Sequence, residues 1–260
     1  MSSNTIVLIT GASQGIGLQV AKGLGSVHGD YTIVLGSRDV SKGESAVSEL
    51  KSSGVSSVDL LQLDVTSDSS IASAVSTIES KYGHLDVLIN NAGIGIDVVV
   101  DATGKHINPN GRTDLSFREL YRQTYDVNVF GAAAVTESFI PLLSKAKHTP
   151  RIIFVSSHVG SLTLRSDPAN PWYPRAHAPS FPIYRSSKAA LNMLTLHYAA
   201  KFEEQGWKVN ASCPGLTATG FSGGAGRPVS EAAANIVRLA ELGQDGETAT
   251  YSDEKGIVPW

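Results

Sequence analysis

At 260 residues, 42% of them hydrophobic, the chain is long enough for one large α/β domain with a sizeable core. A net charge of −3 and an isoelectric point near 6.2 exclude a nucleic-acid partner held by electrostatics. The only cysteine, Cys213, excludes an internal disulfide and fits a reducing compartment, and neither a signal-like leader nor an apolar run of membrane-spanning length is evident, so a soluble cytoplasmic protein without a membrane partner is expected.

The chain opens on Thr5–Thr10, a short β-rich apolar run. Gly11, Gly15 and Gly17 follow, and a helical stripe of Ile16, Val20, Leu24 and Val27 begins at steps of three and four. Strand, glycine turn and helix in that order aim backbone N–H groups and a helix N-terminus at one spot, which suits a phosphate. Glycine permits the tight turn and a close approach of pyrophosphate to the backbone. The spacing is G-x-x-x-G-x-G rather than G-x-G-x-x-G, and a plain βα turn has a similar look.

Tyr31–Gly36 reads as a second strand, Val40–Ser52 as a helix and Val58–Leu63 as a third strand. Ser67–Tyr82 carries Ile71, Val75, Ile78 and Tyr82 on one helical face, with Ser67 or Asp68 as its cap. Leu85–Asn90 is a fourth strand, 94–115 a loop rich in Gly, Asp and Asn, and Ser116–Leu143 a long, mostly helical stretch. Arg151–Ser156 is a fifth strand. The segment 165–182 contains Pro168, Pro171, Pro174, Pro179 and Pro182 and reads as irregular chain. Tyr184–Gln205 is helical and Trp207–Cys213 a sixth strand ended by Pro214. Ser230–Leu242 is a helix with Ser230 at its cap, and Thr248–Ser252 a last strand. Strands separated by helices require right-handed crossovers, and strands apolar on both faces require cover on both sides. The fold class is therefore α/β: a Rossmann-like doubly wound parallel sheet in a single domain, helices on both faces, with ligands at the carboxyl ends of the strands.

The second strand runs into Ser37, Arg38 and Asp39. In a dinucleotide fold an acid at this place holds the ribose 2′-OH of NAD. Ser37 leaves room there for a 2′-phosphate, and the Arg38 guanidinium suits one through two parallel charge-assisted hydrogen bonds. This selects NADP(H); the competing reading turns Asp39 to the ribose and leaves Arg38 a surface charge. Asp64, followed by Val65 at the end of the third strand, is placed to accept the adenine amino group or to cap the next helix.

Thr10-Gly11-Ala12-Ser13-Gln14-Gly15-Ile16-Gly17 resembles the T-G-x-x-x-G-x-G of the short-chain dehydrogenases/reductases, and Asn90-Asn91-Ala92-Gly93 their N-N-A-G. Asn128 within Asp126–Gly131, Ser157 after the fifth strand, Tyr184-x-x-x-Lys188 and Pro214-Gly215 follow in family order. The resemblance spans nearly the whole chain, and Leu35–Leu50 and Leu85–Ile94 further resemble the NADPH-dependent carbonyl reductases. It implies reduction of a small-molecule ketone, aldehyde or quinone-like carbonyl by NADPH. Tyr184 would be the proton donor, Lys188 a charge favouring the phenolate and a ribose ligand, Ser157 the group orienting the carbonyl oxygen, and Asn128 the holder of a water linking Lys188 to solvent. The cofactor would lie along Gly11, Ser13, Gln14, Gly15, Ile16, Gly17, Ser37, Arg38, Asp64, Val65, Asn90, Asn91, Ala92 and Gly93. At its nicotinamide end it would meet Pro214, Gly215, Leu216, Thr217 and Thr219, with the Thr219 hydroxyl on the carboxamide. The same residues are compatible with an alcohol dehydrogenase running oxidatively, or with an NADP(H)-binding redox sensor without turnover.

Tyr251 and Lys255 repeat the Tyr-x-x-x-Lys spacing but lack a strand-end serine before them, and are read as chance. His158 beside Ser157 suggests hydrolysis only until the missing G-x-S-x-G elbow is noticed, and the histidines lack metal-ligand spacing, so no metal is expected. The stretch from Ser157 to Tyr184 is longer than in most of the family. The excess, with Trp172, Tyr173 and Phe181, reads as a partial lid that favours a monomer over a homo-oligomer, and residues 94–115 as the other pocket wall. Gly220–Pro228, rich in glycine, reads as a mobile closing segment. If Arg38 holds a 2′-phosphate, Arg38→Ala raises the NADPH KM far more than the NADH KM in parallel steady-state assays; equal effects on both cofactors overturn the assignment.

Overall fold

The computed structural model describes residues 4–99, 107–170 and 181–260. Strands β1 (Thr5–Ile9), β2 (Tyr31–Ser37), β3 (Val58–Gln62), β4 (Val87–Asn90), β5 (Arg151–Val155), β6 (Lys208–Ser212), β7 (Tyr251–Asp253) and β8 (Gly256–Ile257) form one sheet. Their order is β3-β2-β1-β4-β5-β6-β7-β8, parallel throughout except for the terminal β7–β8 pair. Chain direction along the sheet reverses at β1, which lies between β2 and β4, so the crevice expected for a ligand opens between the carboxyl ends of β1 and β4. The β8 hairpin strand was not anticipated; two residues are too few to leave a period.

Alternate residues of each central strand enter different cores. Ile6, Leu8, Leu88, Ile152 and Phe154 pack with Ile71 and Ile78 of α3 (Asp68–Tyr82), Val135 and Phe139 of α5 (Ala132–Leu143), and Leu191 and Tyr198 of α7 (Pro182–Lys201). Val7, Ile9, Ile33, Leu35, Val87 and Ile89 pack on the opposite face with Val20 and Leu24 of α1 (Gly15–Val27), Leu50 of α2 (Val40–Ser52), and Ile236 and Leu239 of α8 (Val229–Ala240). The sheet is thus covered on both sides, and this is the α/β doubly wound fold anticipated from the alternation.

Local chemistry sets the helix ends. Asp39 caps α2 by accepting from the Lys42 N–H at 3.1 Å, and Ser67 caps α3 by accepting from Ser70 at 3.3 Å. Gly83, at φ +76°, closes α3. At α8 the expected cap fails: Pro228 precedes the helix without a side-chain cap bond, and Ser230 falls in the first turn. The proline fixes the φ of the entering chain, so the helix starts two residues earlier than a cap at Ser230 allows.

The stretch Phe117–Leu143 corrects the reading that no run reaches membrane-spanning length: it is 27 residues long and, by length and composition, apolar enough to cross a membrane. Half of its most apolar window is buried inside the protein, and it covers the sheet with Val135, Phe139, Leu142 and Leu143. The rod is not one α-helix. A turn of π-helix, Asp126–Gly131, separates α4 (Phe117–Tyr125) from α5. A Cβ on Gly131 would lie 2.7 Å from the Val65 carbonyl oxygen, so the π turn is pressed against the end of β3. Such single turns recur at functional sites, and Asn128 sits inside this one.

At the amino end of the sheet, Asp86 is completely buried. Its Oδ2 accepts from the Ile6 N–H at 2.8 Å, and its Oδ1 from the Lys147 and His148 N–H groups at 2.8 and 3.1 Å. Asp86→Ala strips three backbone donors, the Ile6 N–H of them buried, of an acceptor. It lowers unfolding stability by about 2–4 kcal/mol in urea titration while leaving nucleotide affinity at the far end of the sheet unchanged.

Candidate active site

The crevice between β1 and β4 is fastened by one hydroxyl. Thr10 Oγ1 accepts from the N–H groups of Asn91 and Ala92, both at 3.0 Å, and the Asn91 amide donates back to the carbonyls of Thr10 (2.9 Å) and Gly11 (3.1 Å). The glycine turn and the N-N-A-G segment are therefore one unit. Gly11 adopts φ +62°, and a Cβ there would lie 2.9 Å from the Ala92 Cα. A Cβ on Gly17 would meet the Asn91 amide at 2.5 Å and the Ala12 Cα at 2.9 Å. Gly17 is thus a packing glycine. It does not line the cleft, contrary to the expectation of a cofactor contact, because α1 has already turned behind the loop.

The cleft has a volume of about 810 Å³ and runs the width of the sheet's carboxyl edge. Gly11, Ser13, Gln14, Gly15 and Ile16 line its floor, Asp64 and Val65 one flank, and Asn91, Ala92 and Gly93 its middle. Gln14 precedes α1 without a side-chain cap bond, whereas α2, α3 and α4 each receive one from Asp39, Ser67 and Ser116. The opening N–H groups of α1 are left facing the cleft, where an anion would satisfy them.

At one end lie Ser37, Arg38 and Asp39. Ser37 Oγ donates to the Asp39 carbonyl at 2.7 Å, and the Asp39 carboxylate is occupied in capping α2. One Asp39 oxygen is thus engaged with the start of α2, while the residue still lines this end of the cleft. Arg38 is exposed on the rim, and Lys42, which sequence reasoning missed, lines the same end. The signal was present, a cation one helical turn beyond the Ser-Arg pair. Asp64 does not cap α3: its Oδ1 accepts from the N–H and hydroxyl of Thr66, at 3.0 and 2.7 Å, and Ser67 takes the cap.

At the other end Ser157, Tyr184 and Lys188 come together from the segment after β5 and the first two turns of α7. Tyr184 and Lys188 share a helix face, with the ammonium 5.6 Å from the centre of the phenol ring. Lys188 is buried and donates to the Val155 carbonyl at 2.8 Å. Burial pulls its pKa down to about 8. Burial pushes the Tyr184 phenol well above its ordinary value, aided by Cys213 and Asp97, while the hydrogen bond with Ser157 opposes the rise. Desolvation is thus the largest influence on the phenol in the protein alone. Ser156, the neighbour of Ser157, points into the core and hydrogen-bonds Asn192 at 2.5 Å. His158 turns its Nε2 to Asp253, 3.0 Å from Oδ2.

Asn128 is buried beside the cleft rather than in its lining. Its Oδ1 accepts from the Ile94 N–H at 2.8 Å, and its Nδ2 donates to the Ile94 carbonyl (2.8 Å) and Ser187 Oγ (3.0 Å). A Cβ on Gly93 would lie 3.4 Å from Asn128 Oδ1 and 3.5 Å from Lys188 Nζ, so glycine leaves the space between amide and ammonium open. Tyr251 is buried in β7 and Lys255 lies in the following turn, sharing no helix face with it.

Pro214, Gly215, Leu216, Thr217 and Thr219 complete the rim. The Thr217 hydroxyl donates to the Pro214 and Gly215 carbonyls, and Thr219 forms a reciprocal cap with Ser222, so both side chains shape the turn. Gly220–Pro228 is folded and tied down. Arg227 Nε donates to the Pro214 carbonyl at 2.9 Å and its Nη1 pairs with Glu254, while Asn110 Nδ2 donates to the Phe221 carbonyl at 2.8 Å. Phe221 rests on Tyr184, ring centres 5.3 Å apart, and a Cβ on Gly95 would collide with it at 2.8 Å. Phe221, Arg227 and Asp97 left no sequence signal, since their partners are remote in the chain. The expected lid falls largely outside the described residues, with Trp172 and Tyr173; Phe181, within them, lines the cleft.

Comparison with known proteins places this arrangement. The family model for short chain dehydrogenases matches residues 5–228. The short-chain dehydrogenase anuI of Penicillium roqueforti is 38% identical over 257 residues, covering 97% of this chain and 96% of that protein. Among solved structures, salutaridine reductase from Papaver somniferum superposes with a TM-score of 0.78 at 29% identity, covering 95% of this chain and 99% of that one. The NADPH-bound carbonyl reductase from chicken fatty liver gives a TM-score of 0.78 at 25% identity, covering 99% and 100%. A glycine cradle at the β1–β4 crevice, a Ser–Tyr–Lys cluster at its far end and this extent of similarity lead to one conclusion: the chain belongs to the short-chain dehydrogenase family.

Proposed function

We propose that the protein reduces a ketone, aldehyde or quinone-like carbonyl to the alcohol with NADPH. The observation that carries this reading is the convergence of Ser157, Tyr184 and Lys188 at one end of a cleft whose other end presents Ser37, Arg38 and Lys42. The residues fit such a cofactor: the uncapped start of α1 offers N–H donors to the pyrophosphate. The Asp39 carboxylate spends one oxygen on capping α2, Ser37 stands where an acid would claim a ribose 2′-OH, and Arg38 with Lys42 supplies positive charge for a 2′-phosphate. Chicken carbonyl reductase, which superposes over 99% of the chain, is NADPH-bound.

When bound, the nicotinamide supplies the hydride. The chain's own residues handle the oxygen. Ser157 hydrogen-bonds the carbonyl oxygen and orients it. The Tyr184 hydroxyl donates its proton to that oxygen as negative charge develops. Burial keeps the phenol protonated at neutral pH, which is the form a donor needs. Lys188, held by the Val155 carbonyl, presents its charge beneath the phenol and offers an N–H to the nicotinamide ribose. Asn128 clamps Ile94 and leaves one lone pair of Oδ1 toward the gap beside Lys188, where a water would connect the ammonium to solvent. Phe221 and Phe181 give the pocket an apolar wall suited to a hydrophobic carbonyl compound.

NADPH oxidation at 340 nm against ketones, aldehydes and quinones, with NADH in parallel, tests the reading: NADPH-selective turnover is expected, and tight NADPH binding without turnover overturns it in favour of a sensor. Tyr184→Phe lowers kcat by about three orders of magnitude. NADPH affinity, read by fluorescence titration, stays within about threefold of wild type, since the hydroxyl acts on substrate. Lys188 carries its charge below about pH 8 and loses it above. kcat/KM, which reports the free enzyme, therefore falls as pH rises through about 8, and a level profile from pH 6 to 10 shows that the charge is dispensable.

A further inference from the structure

The helix that carries Tyr184 and Lys188 begins without a cap of its own. Phe181 stands at the cap position with no side-chain bond to offer, and Pro182 follows. The next two N–H groups, those of Ile183 and Tyr184, would be orphaned in a buried place. Asp97 reaches them from the loop after β4, across 86 and 87 residues of sequence. Its Oδ1 accepts from Ile183 at 2.8 Å and its Oδ2 from Tyr184 at 3.1 Å. The carboxylate is only 1% exposed and lies at the positive end of the α7 dipole. The Asp97 carbonyl is itself held by Asn108 Nδ2 at 2.6 Å. Three residues earlier in the same segment, Asn128 clamps Ile94.

We infer that Asp97 is the positioning residue of Tyr184, a carboxylate lent by the loop after β4 to fix the backbone from which the phenol projects. The inference rests on the reading of Tyr184 as proton donor. Its charge has a second consequence, because it lies close enough to disfavour the phenolate. Other groups face or neighbour the phenol: Lys188 and, nearer Asp97, Arg185 from α7; Ser157 from the segment after β5; Cys213 from the end of β6; and Tyr251 from β7. Burial keeps the Cys213 thiol and the Tyr251 hydroxyl neutral near pH 7. Burial is the main force that holds Tyr184 as an acid, and the Asp97 carboxylate adds to it against the Lys188 charge.

Two variants separate geometry from charge. Asp97→Asn keeps the shape but loses the charge and one acceptor; Asp97→Glu keeps the charge and displaces the acceptors. For Asp97→Asn the expectation is a kcat reduced about tenfold with NADPH Kd within about twofold of wild type. The ascending limb of kcat/KM for alcohol oxidation with NADP+, where the phenol must be ionised, should move about half a unit or more to lower pH. For Asp97→Glu the limb stays in place while kcat falls. An unmoved limb with wild-type kcat in Asp97→Asn overturns the inference, as does a loss of NADPH affinity in step with kcat. Absence of any turnover by the wild type would instead defeat the reductase reading. Amide hydrogen exchange at Ile183 and Tyr184 of the cofactor-free protein would then decide on Asp97: about tenfold faster exchange in Asp97→Asn than in wild type supports it, and equal exchange overturns it.

Discussion

The clasp between the ends of β1 and β4 is the constraint on which the rest depends. Adjacent parallel strands whose connections leave in opposite directions open a crevice, and something must hold its two lips at a fixed separation. Here a single hydroxyl, Thr10 Oγ1, receives the N–H groups of both Asn91 and Ala92, and the Asn91 amide returns two bonds to the glycine turn. The close fit of Gly11 on Ala92 and of Gly17 on Asn91 leaves no room for a side chain at either glycine. Preorganisation of this kind removes the entropy of ordering a phosphate-binding loop from the cost of binding.

Burial dominates the chemistry at the far end. It drives the phenol of Tyr184 up and the ammonium of Lys188 down, so each group is pressed toward its neutral form. A charge that enters the cleft with a cofactor acts in this same dry space, where electrostatic interactions are stronger than in water. The site is held by its surroundings on every side: Lys188 by the Val155 carbonyl, the Tyr184 backbone by Asp97, and the segment between them and β4 by Asn128. The π turn carries Asn128, which bonds both backbone groups of Ile94.

The loops form the substrate side. Gly220–Pro228, for all its glycines, is fixed by Arg227 to Pro214 and Glu254 and by Asn110 to Phe221, and it lays Phe221 against Tyr184. Its glycines serve turn geometry: Gly223, Gly224 and Gly226 all adopt positive φ. Glycine content alone does not distinguish a mobile loop from a tightly turned one; the side chains anchoring it do.

By itself the sequence determined the alternation of strand and helix, the two-sided burial of the sheet, the glycine turn at its carboxyl edge, and the Tyr184-x-x-x-Lys188 spacing at the start of a helix. Each of these is written in local period or in a short spacing, which a linear reading can detect. Val40–Ser52 was legible to the residue because Asp39 caps it and its apolar positions repeat. Only the tertiary structure decided the rest. It separated Gly17 from the cleft, turned Asp39 and Asp64 to their own backbones, inserted the π turn, and set the balance between burial and charge at Tyr184. It also brought Asp97, Phe221 and Arg227 to the site from segments with no repeating pattern. The physical reason is common to all of them: a hydrogen bond between residues 86 apart, or a desolvation that depends on every neighbour in three dimensions, leaves no trace in the order of residues along the chain.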